Sequence, residues 1–191
     1  MKEIENLKRL YHSWAGEEVS DFNQLPQSGS ARKYFRMYSR NKSAIGVYNT
    51  DVKENNAFLS FTRHFINHGL AVPLVYATQE DEGIYLLQDL GDKTLYQMVV
   101  SREAGSPLTP EVEVLYRKAI TELLKFQVVA GQDLDYTSCY PRQHFDRQSI
   151  MWDLHYFKYY FLKPVGVIFD EQLLENDFVS LTSYLLQAPS D

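Results

Sequence analysis

The sequence predicts an α+β fold: a five-stranded antiparallel sheet with one inserted helix, followed by a group of helices. Three observations carry this reading. Between Gly16 and Leu90 the chain is mostly short β-rich runs broken by tight polar turns. Only once in that span, from Ala57 to Ile66, does the apolar period lengthen to helical spacing. From Gly91 onward apolar residues recur at helical intervals, and helix-start signals replace turn signals.

Each element has its own justification. Ile4, Leu7, Leu10, Tyr11 and Trp14 form one stripe of an opening helix that Gly16 ends. Phe22 to Pro26 reads as a short first strand, and Gln27-Ser28-Gly29-Ser30 as a small-residue turn. Tyr34 to Tyr38 and Ser43 to Asn49 are the second and third strands, turned by Arg40-Asn41-Lys42. Ala57, Phe58, Phe61, Phe65 and Ile66 mark the inserted helix, stopped at Gly69. Leu70 to Ala77 and Ile84 to Gln88 complete the sheet across the turn Gln79 to Gly83. Asp92 is expected to cap a short helix running to Val100. Thr109-Pro110-Glu111 opens a longer helix to about Ala130, with a capping hydroxyl, a proline at the first position and an early acid. Phe145 to Phe161 is densely aromatic, and Asp170 to Leu186 forms the last helix. The division falls at Leu90-Gly91, giving a sheet-bearing part over residues 1–90 and a helical part over 91–191.

Composition removes several classes of function. Cys139 is the only cysteine, so no internal disulfide forms and a reducing compartment is expected. No apolar run is long enough to span a membrane, and Met1-Lys2-Glu3-Ile4-Glu5 opens no signal peptide, so the expectation is a cytoplasmic protein with no membrane partner. A net charge of −6 argues against nucleic acid as a partner. His64 and His68 are spaced i,i+4 on the inserted helix, but with no third ligand nearby in sequence they read as a surface or packed pair, and no metal site is assigned. The aromatic run from Phe145 reads as core packing.

The charge is unevenly placed. Phe22 to Thr50 contains no acid and carries Arg32, Lys33, Arg36, Arg40 and Lys42. The small-residue turn opens this basic stretch, and backbone amides in such a turn can approach a phosphate that Arg32 or Arg36 would neutralise. Taken alone, the turn is better explained as an ordinary hairpin.

The order of elements, taken with three motifs, is more specific. Ser28-Gly29-Ser30-Ala31-Arg32-Lys33-Tyr34-Phe35-Arg36 resembles the nucleotide-covering hairpin of the aminoglycoside-phosphotransferase-like kinases. Gly69-Leu70-Ala71-Val72-Pro73, followed by the run from Leu86 to Leu95 (LLQDLGDKTL), is similar to the fourth and fifth strands and hinge of one branch, the bacterial kinases that phosphorylate N-acetylmuramate and N-acetylglucosamine at the anomeric position. Phe145-Asp146 through Leu162 resembles the aromatic helix that precedes that branch's catalytic loop. The resemblance spans the chain from about Leu25. It implies a protein-kinase-like N-lobe followed by the first helices of a helical C-lobe, with ATP and Mg²⁺ as cofactors of the complete enzyme and a small sugar-like acceptor.

Site residues follow position by position. Ser28, Gly29 and Ser30 would cover the nucleotide phosphates, and the hinge from Leu87, with Gln88, Asp89 and Leu90, would meet adenine through its backbone. Glu54 would be the early acid of the lobe's helix, which in kinases pairs with a third-strand lysine. That strand here, SAIGVYN, has no lysine, which leaves Arg32 or Arg36 for the phosphate role and leaves Glu54 open to a second reading as a solvated acid favoured by the helix dipole. The catalytic pattern His-x-Asp-x-x-x-x-Asn is not met. The one His-x-Asp is His144-Phe145-Asp146, and Met151 stands where Asn is required. Asp170 only faintly resembles the metal-binding acid that follows, and the aromatic helix between suits packing rather than a catalytic loop. The expectation is the nucleotide-binding part of a small-molecule kinase, inactive alone; the alternative is a non-catalytic kinase-like binding or regulatory module.

Overall fold

The structure, a computed structural model, describes residues 2–27, 31–100 and 107–187. It is α+β, with a five-stranded antiparallel sheet and several helices. The chain forms two compact units, Met1–Tyr140 and Pro141–Asp191.

In the first unit α1 (Lys2–Ala15) precedes β1 (Asp21–Gln24), β2 (Lys33–Tyr38) and β3 (Ser43–Tyr48). Then come α2 (Val52–Asn67), β4 (Val75–Gln79) and β5 (Ile84–Leu87), and the strands lie in the order β1-β2-β3-β5-β4. The central place of β5 explains its sequence, Ile-Tyr-Leu-Leu. Side chains alternate faces along a strand, so Ile84 and Leu86 pack under Leu7 and Tyr11 of α1, while Tyr85 and Leu87 pack with Leu59 of α2. All four are buried because both faces of the sheet are covered. Gly46 of β3 lets α1 settle closely: a Cβ there would stand 2.8 Å from Met37 Sδ and 3.1 Å from Leu7 Cδ2. Gly83, at φ +67°, turns the chain into β5 where a Cβ would meet the Asn49 carbonyl at 2.3 Å.

Two local expectations are corrected. Residues 70–74 are not strand, and β4 starts only at Val75. Pro73 offers no amide to a ladder and restricts the residue before it, while the Leu70 amide is spent closing α2 on Phe65 O at 2.9 Å. The short helix α3 (Leu95–Val100) is capped by Thr94, not Asp92. The Gln97 amide donates to Thr94 Oγ1 at 3.1 Å and the Thr94 amide to Gln97 Oε1 at 3.0 Å, a reciprocal capping box. Asp92 is drawn instead to Arg36.

Helix α4 (Pro110–Leu124) starts where Thr109 Oγ1 accepts from the Val112 amide, and a π-helical turn, Lys125–Val129, extends it. The second unit contains α5 (Arg147–Phe157), a π-helical turn (Lys158–Leu162) and α6 (Glu171–Leu185). Ile150 and Phe178 are its buried apolar side chains among the described residues. The expected core packing of the aromatic run does not occur. Phe145, Tyr156, Tyr159, Tyr160 and Phe161 are all more than half exposed. Two helices can cover only one stripe of each other, and aromatic residues on every side of α5 exceed that stripe. Among the described residues no helix is long and apolar enough to cross a membrane.

Candidate functional site

The strand register sets out a row across the sheet. Arg36 of β2 pairs with Ile45 of β3, and Ile45 pairs with Leu87 of β5. These three side chains lie on the same face as α2, since Val47, Tyr85 and Leu87 pack with Leu59 there. Together with Leu25, Pro73 and the connector Gln88–Gly91 they line a cavity of about 220 Å³. Its floor is aliphatic, its wall is backbone, and one cation stands at its edge. Its volume is below that of most ligand pockets.

The connector is held firmly. The Gln88 amide donates to Leu74 O at 2.8 Å, and Gln88 Oε1 accepts from the Leu74 amide at 3.3 Å. Asp89 turns inward, with a side chain only 9% exposed. Its Oδ1 accepts from the Gly91 amide at 2.9 Å and from Arg36 Nη2 at 3.1 Å, and its Oδ2 lies 3.0 Å from Arg36 Nε. Arg36 Nη1 donates to Asp92 Oδ1 at 2.5 Å. This last bond, with both carboxylates beside it, holds the guanidinium pKa above its ordinary value. Gly91 takes φ +79°, which lets the turn close. Arg36 is thus the post to which the connector is tied.

The next row, Tyr34–Val47–Tyr85, separates this cavity from a second cluster. Burial pushes the Tyr85 hydroxyl up to about 12, and its ring stacks on Phe58 at 5.5 Å. The Arg32 guanidinium lies 5.2 Å from the Phe58 ring centre, and its Nη2 is 3.2 Å from Glu54 Oε1. Glu54 Oε2 accepts from Asn49 Nδ2 at 2.7 Å. Asn49 is itself buried, its carbonyl accepting from Asn55 Nδ2 at 2.8 Å. Asp51 caps α2 by accepting from the Glu54 amide at 3.0 Å, which fixes the turn that carries Glu54. Glu54 is therefore a bonded acid and not a merely solvated one.

The sequence-predicted residues accordingly fall into two groups on one sheet face. Arg36, Gln88, Asp89 and Leu90 form the cavity and connector, and Arg32 and Glu54 form the pair near the N-terminus of α2. Ser28, Gly29 and Ser30 lie outside the described residues. Asp146 and Asp170 have local duties. Asp146 accepts from the Ser149 amide at 3.1 Å and pairs with Arg142, and the Ser149 bond foremost holds its carboxyl below the usual range. Asp170 accepts from the Leu173 amide at 2.8 Å. Met151, at the position a catalytic Asn would take, receives a hydrogen bond from Thr182 Oγ1 through its sulfur at 3.4 Å. Burial raises the Cys139 thiol pKa, which makes it a poor nucleophile at neutral pH.

The acids near the cavity are engaged with protein partners. Asp89 and Asp92 are bonded to Arg36, and Glu54 to Arg32 and Asn49. What sequence reasoning missed is the tie between Arg36 and the two connector acids. The signal was present in the alternation of β2, which puts Arg36 in the row of Leu87, and in the acid two residues beyond Leu87. No protein-family model matches the chain, and no curated protein matches it.

Proposed function

We propose that this chain is the N-terminal, nucleotide-binding part of an ATP-dependent phosphotransferase with a protein-kinase-like N-lobe, one that phosphorylates a small sugar-like hydroxyl. The observation that carries the reading is the pairing of an apolar cavity, walled by the connector after β5, with an Arg–Glu pair at the first turn of α2 on the same sheet face. In this reading adenine enters the row Arg36–Ile45–Leu87 and meets the backbone of Gln88 to Leu90. Arg32 stands in for the third-strand lysine: it is held by Glu54 as that lysine would be. Arg36 supports the connector rather than the phosphates, because two carboxylates already surround it. Phosphoryl transfer is mainly positioning and charge neutralisation, and these residues supply the part that concerns the nucleotide. Mg²⁺ would be held by residues other than those of the cavity.

A second reading, a non-catalytic kinase-like binding or regulatory module, has one observation in its favour. The only His-x-Asp of the chain ends in an acid that caps a helix, and no Asn follows at the required place. Both readings expect no turnover from this chain.

Titration of the chain with a fluorescent ATP analogue, and competition by ATP, ADP and GTP, tests the proposal. Weak saturable binding is expected, and Arg32→Gln should weaken it at least ~10-fold through loss of a charge-assisted contact. Ile45→Trp, which fills the cavity floor, should abolish it. Binding that survives Ile45→Trp places the nucleotide elsewhere and sinks the reading. ATP hydrolysis by the chain that disappears in Asp146→Asn would overturn the assignment of Asp146 as a cap.

A further inference from the structure

A cluster that shares no residue with that cavity lies at the C-terminal end of α2, and it does not depend on the nucleotide reading. His64 and His68 occupy the last turn of the helix and its C-cap, with ring centres 4.3 Å apart. The loop after the π-helical turn brings Asp133 to them. Asp133 Oδ1 lies 3.0 Å from His68 Nε2 and 3.6 Å from His64 Nε2, and one ligand atom from each of the three residues falls within a 4.8 Å group.

The tautomers follow from the neighbouring carbonyls. His68 Nδ1 is 2.9 Å from His64 O, so it carries a proton there, and Nε2 then turns a lone pair toward a carboxylate oxygen. Two lone pairs at that distance repel unless a proton or a cation lies between them. His64 Nε2 already has an acceptor in Ala130 O at 2.7 Å, so a proton shared between His68 and Asp133 would answer that repulsion. A cation among the three side chains would answer it too, and would tie all three together. The separations of 3.0 and 3.6 Å also straddle the edge of a tetrahedron with bonds of about 2.0–2.1 Å, which is about 3.3 Å.

We propose that His64, His68 and Asp133 bind a borderline divalent transition ion, Zn²⁺ being the representative, with a water in the fourth position. Two imidazole nitrogens and one carboxylate oxygen suit such an ion, whereas Mg²⁺ and Ca²⁺ take oxygen ligands. The hydrogen bond from His68 Nδ1 to the His64 carbonyl is the outer contact that orients a ligating imidazole. Without the ion, His64 Nε2 donates to Ala130 O at 2.7 Å. To ligate through Nε2, His64 gives up that hydrogen bond and its ring proton moves to Nδ1, so the imidazole stays neutral and there is no net proton release. The His side chains are 17% and 24% exposed and Asp133 is 67% exposed, so the ion reaches the site without unfolding. Once bound, it staples the end of α2 to the loop that follows α4.

The test is calorimetric titration of the metal-free chain with ZnCl₂, with Co²⁺ absorption as a second readout. One ion per chain and the intense visible bands of tetrahedral Co²⁺ are expected. Asp133→Ala changes an exposed side chain and should leave the fold intact while lowering the affinity at least ~10-fold, and His68→Gln should do the same. His144→Gln, on an exposed histidine outside the cluster, should bind as the unmodified chain does. At a hundredfold excess over Kd, Zn²⁺ should raise the melting temperature by roughly 5 °C. Absence of one-to-one binding, or wild-type affinity in either Asp133→Ala or His68→Gln, overturns the proposal.

Discussion

The sheet of the first unit and the helix pair of the second use aromatic and aliphatic residues in opposite ways. In the sheet, Leu7, Tyr11, Phe35, Met37, Val47, Ile84 and Leu86 are no more than 2% exposed, and helices cover both faces. In α5 and α6 the run of Trp, Tyr and Phe is largely exposed, and Ile150 with Phe178 marks what little interior there is. The difference is geometric. A strand has two faces, and a sheet between two helices hides both. A helix is round, and one partner hides about a third of it. The first region carries enough buried surface to hold itself together. The second carries much of its apolar surface exposed.

Truncation in the two regions gives the largest contrast. Leu7→Ala removes a fully buried side chain under Gly46 and Tyr11 and should cost about 2–5 kcal/mol. Phe157→Ala removes a side chain that is 44% exposed and stacked on Phe161 at 5.4 Å, and should cost less than about 1 kcal/mol. The two tryptophans separate the readouts, since Trp14 stacks on Tyr76 of the sheet and Trp152 lies on α5. Urea unfolding followed in Trp14→Phe and Trp152→Phe backgrounds measures each region by itself. Equal losses for the two truncations would erase the distinction.

That contrast also explains which features could be read from the sequence. The order of strands and helices was legible because turns, caps and periods are local: Thr109 caps α4, Gly16 and Gly69 end helices, and Gly83 turns the chain. The position of Gln88 to Leu90 beside a cavity was legible because the connector follows β5 directly. Burial of the aromatic run was misjudged because aromatic density says nothing about what stands opposite. The His64–His68–Asp133 cluster was missed for a related reason. The two histidines announce themselves at i,i+4, but Asp133 is 65 residues downstream of His68 and reaches them only through the course of α4 and its π-helical turn. Glu54 was half legible: its place at a helix start was evident, its bonds to Arg32 and Asn49 were not.

Acid should separate the two regions in the same direction as truncation, by a smaller margin. In the helix pair Glu171 and Glu175 are held below the usual 4.5, in each case chiefly by Lys158. Lys158 Nζ lies 2.6 Å from Glu171 and 2.5 Å from Glu175, with a side chain 4% exposed. A depressed carboxyl contributes stability above its unfolded pKa and loses it as pH falls through the folded value. The loss therefore begins as pH drops below about 4.5. On the alkaline side the raised Lys158 keeps its contribution until strongly alkaline pH. The first unit also has depressed carboxyls, Glu17 and Asp51 among them, but both lie outside its buried core. The Trp152 signal should thus change at a higher pH than the Trp14 signal, and Lys158→Met should flatten the acid branch of the Trp152 curve. Coincident transitions in the two backgrounds would show one cooperative structure and break the comparison.

The smallest expected effect is the sharpest test, because it asks for a large aromatic residue whose removal costs almost nothing. Tyr160 is 70% exposed and touches chiefly Tyr156, its ring stacked at 4.3 Å one turn away on the same helix. An i,i+4 ring pair on a helix surface contributes only about 0.2–0.5 kcal/mol, and glutamine is nearly as good a helix former as any residue that could replace it. Tyr160→Gln should therefore change the unfolding free energy read from the urea transition of the Trp152 signal by no more than about 0.5 kcal/mol. A loss of several kcal/mol would mean that Tyr160 is packed in a core of this chain's own making, and the second region would then be as self-sufficient as the first.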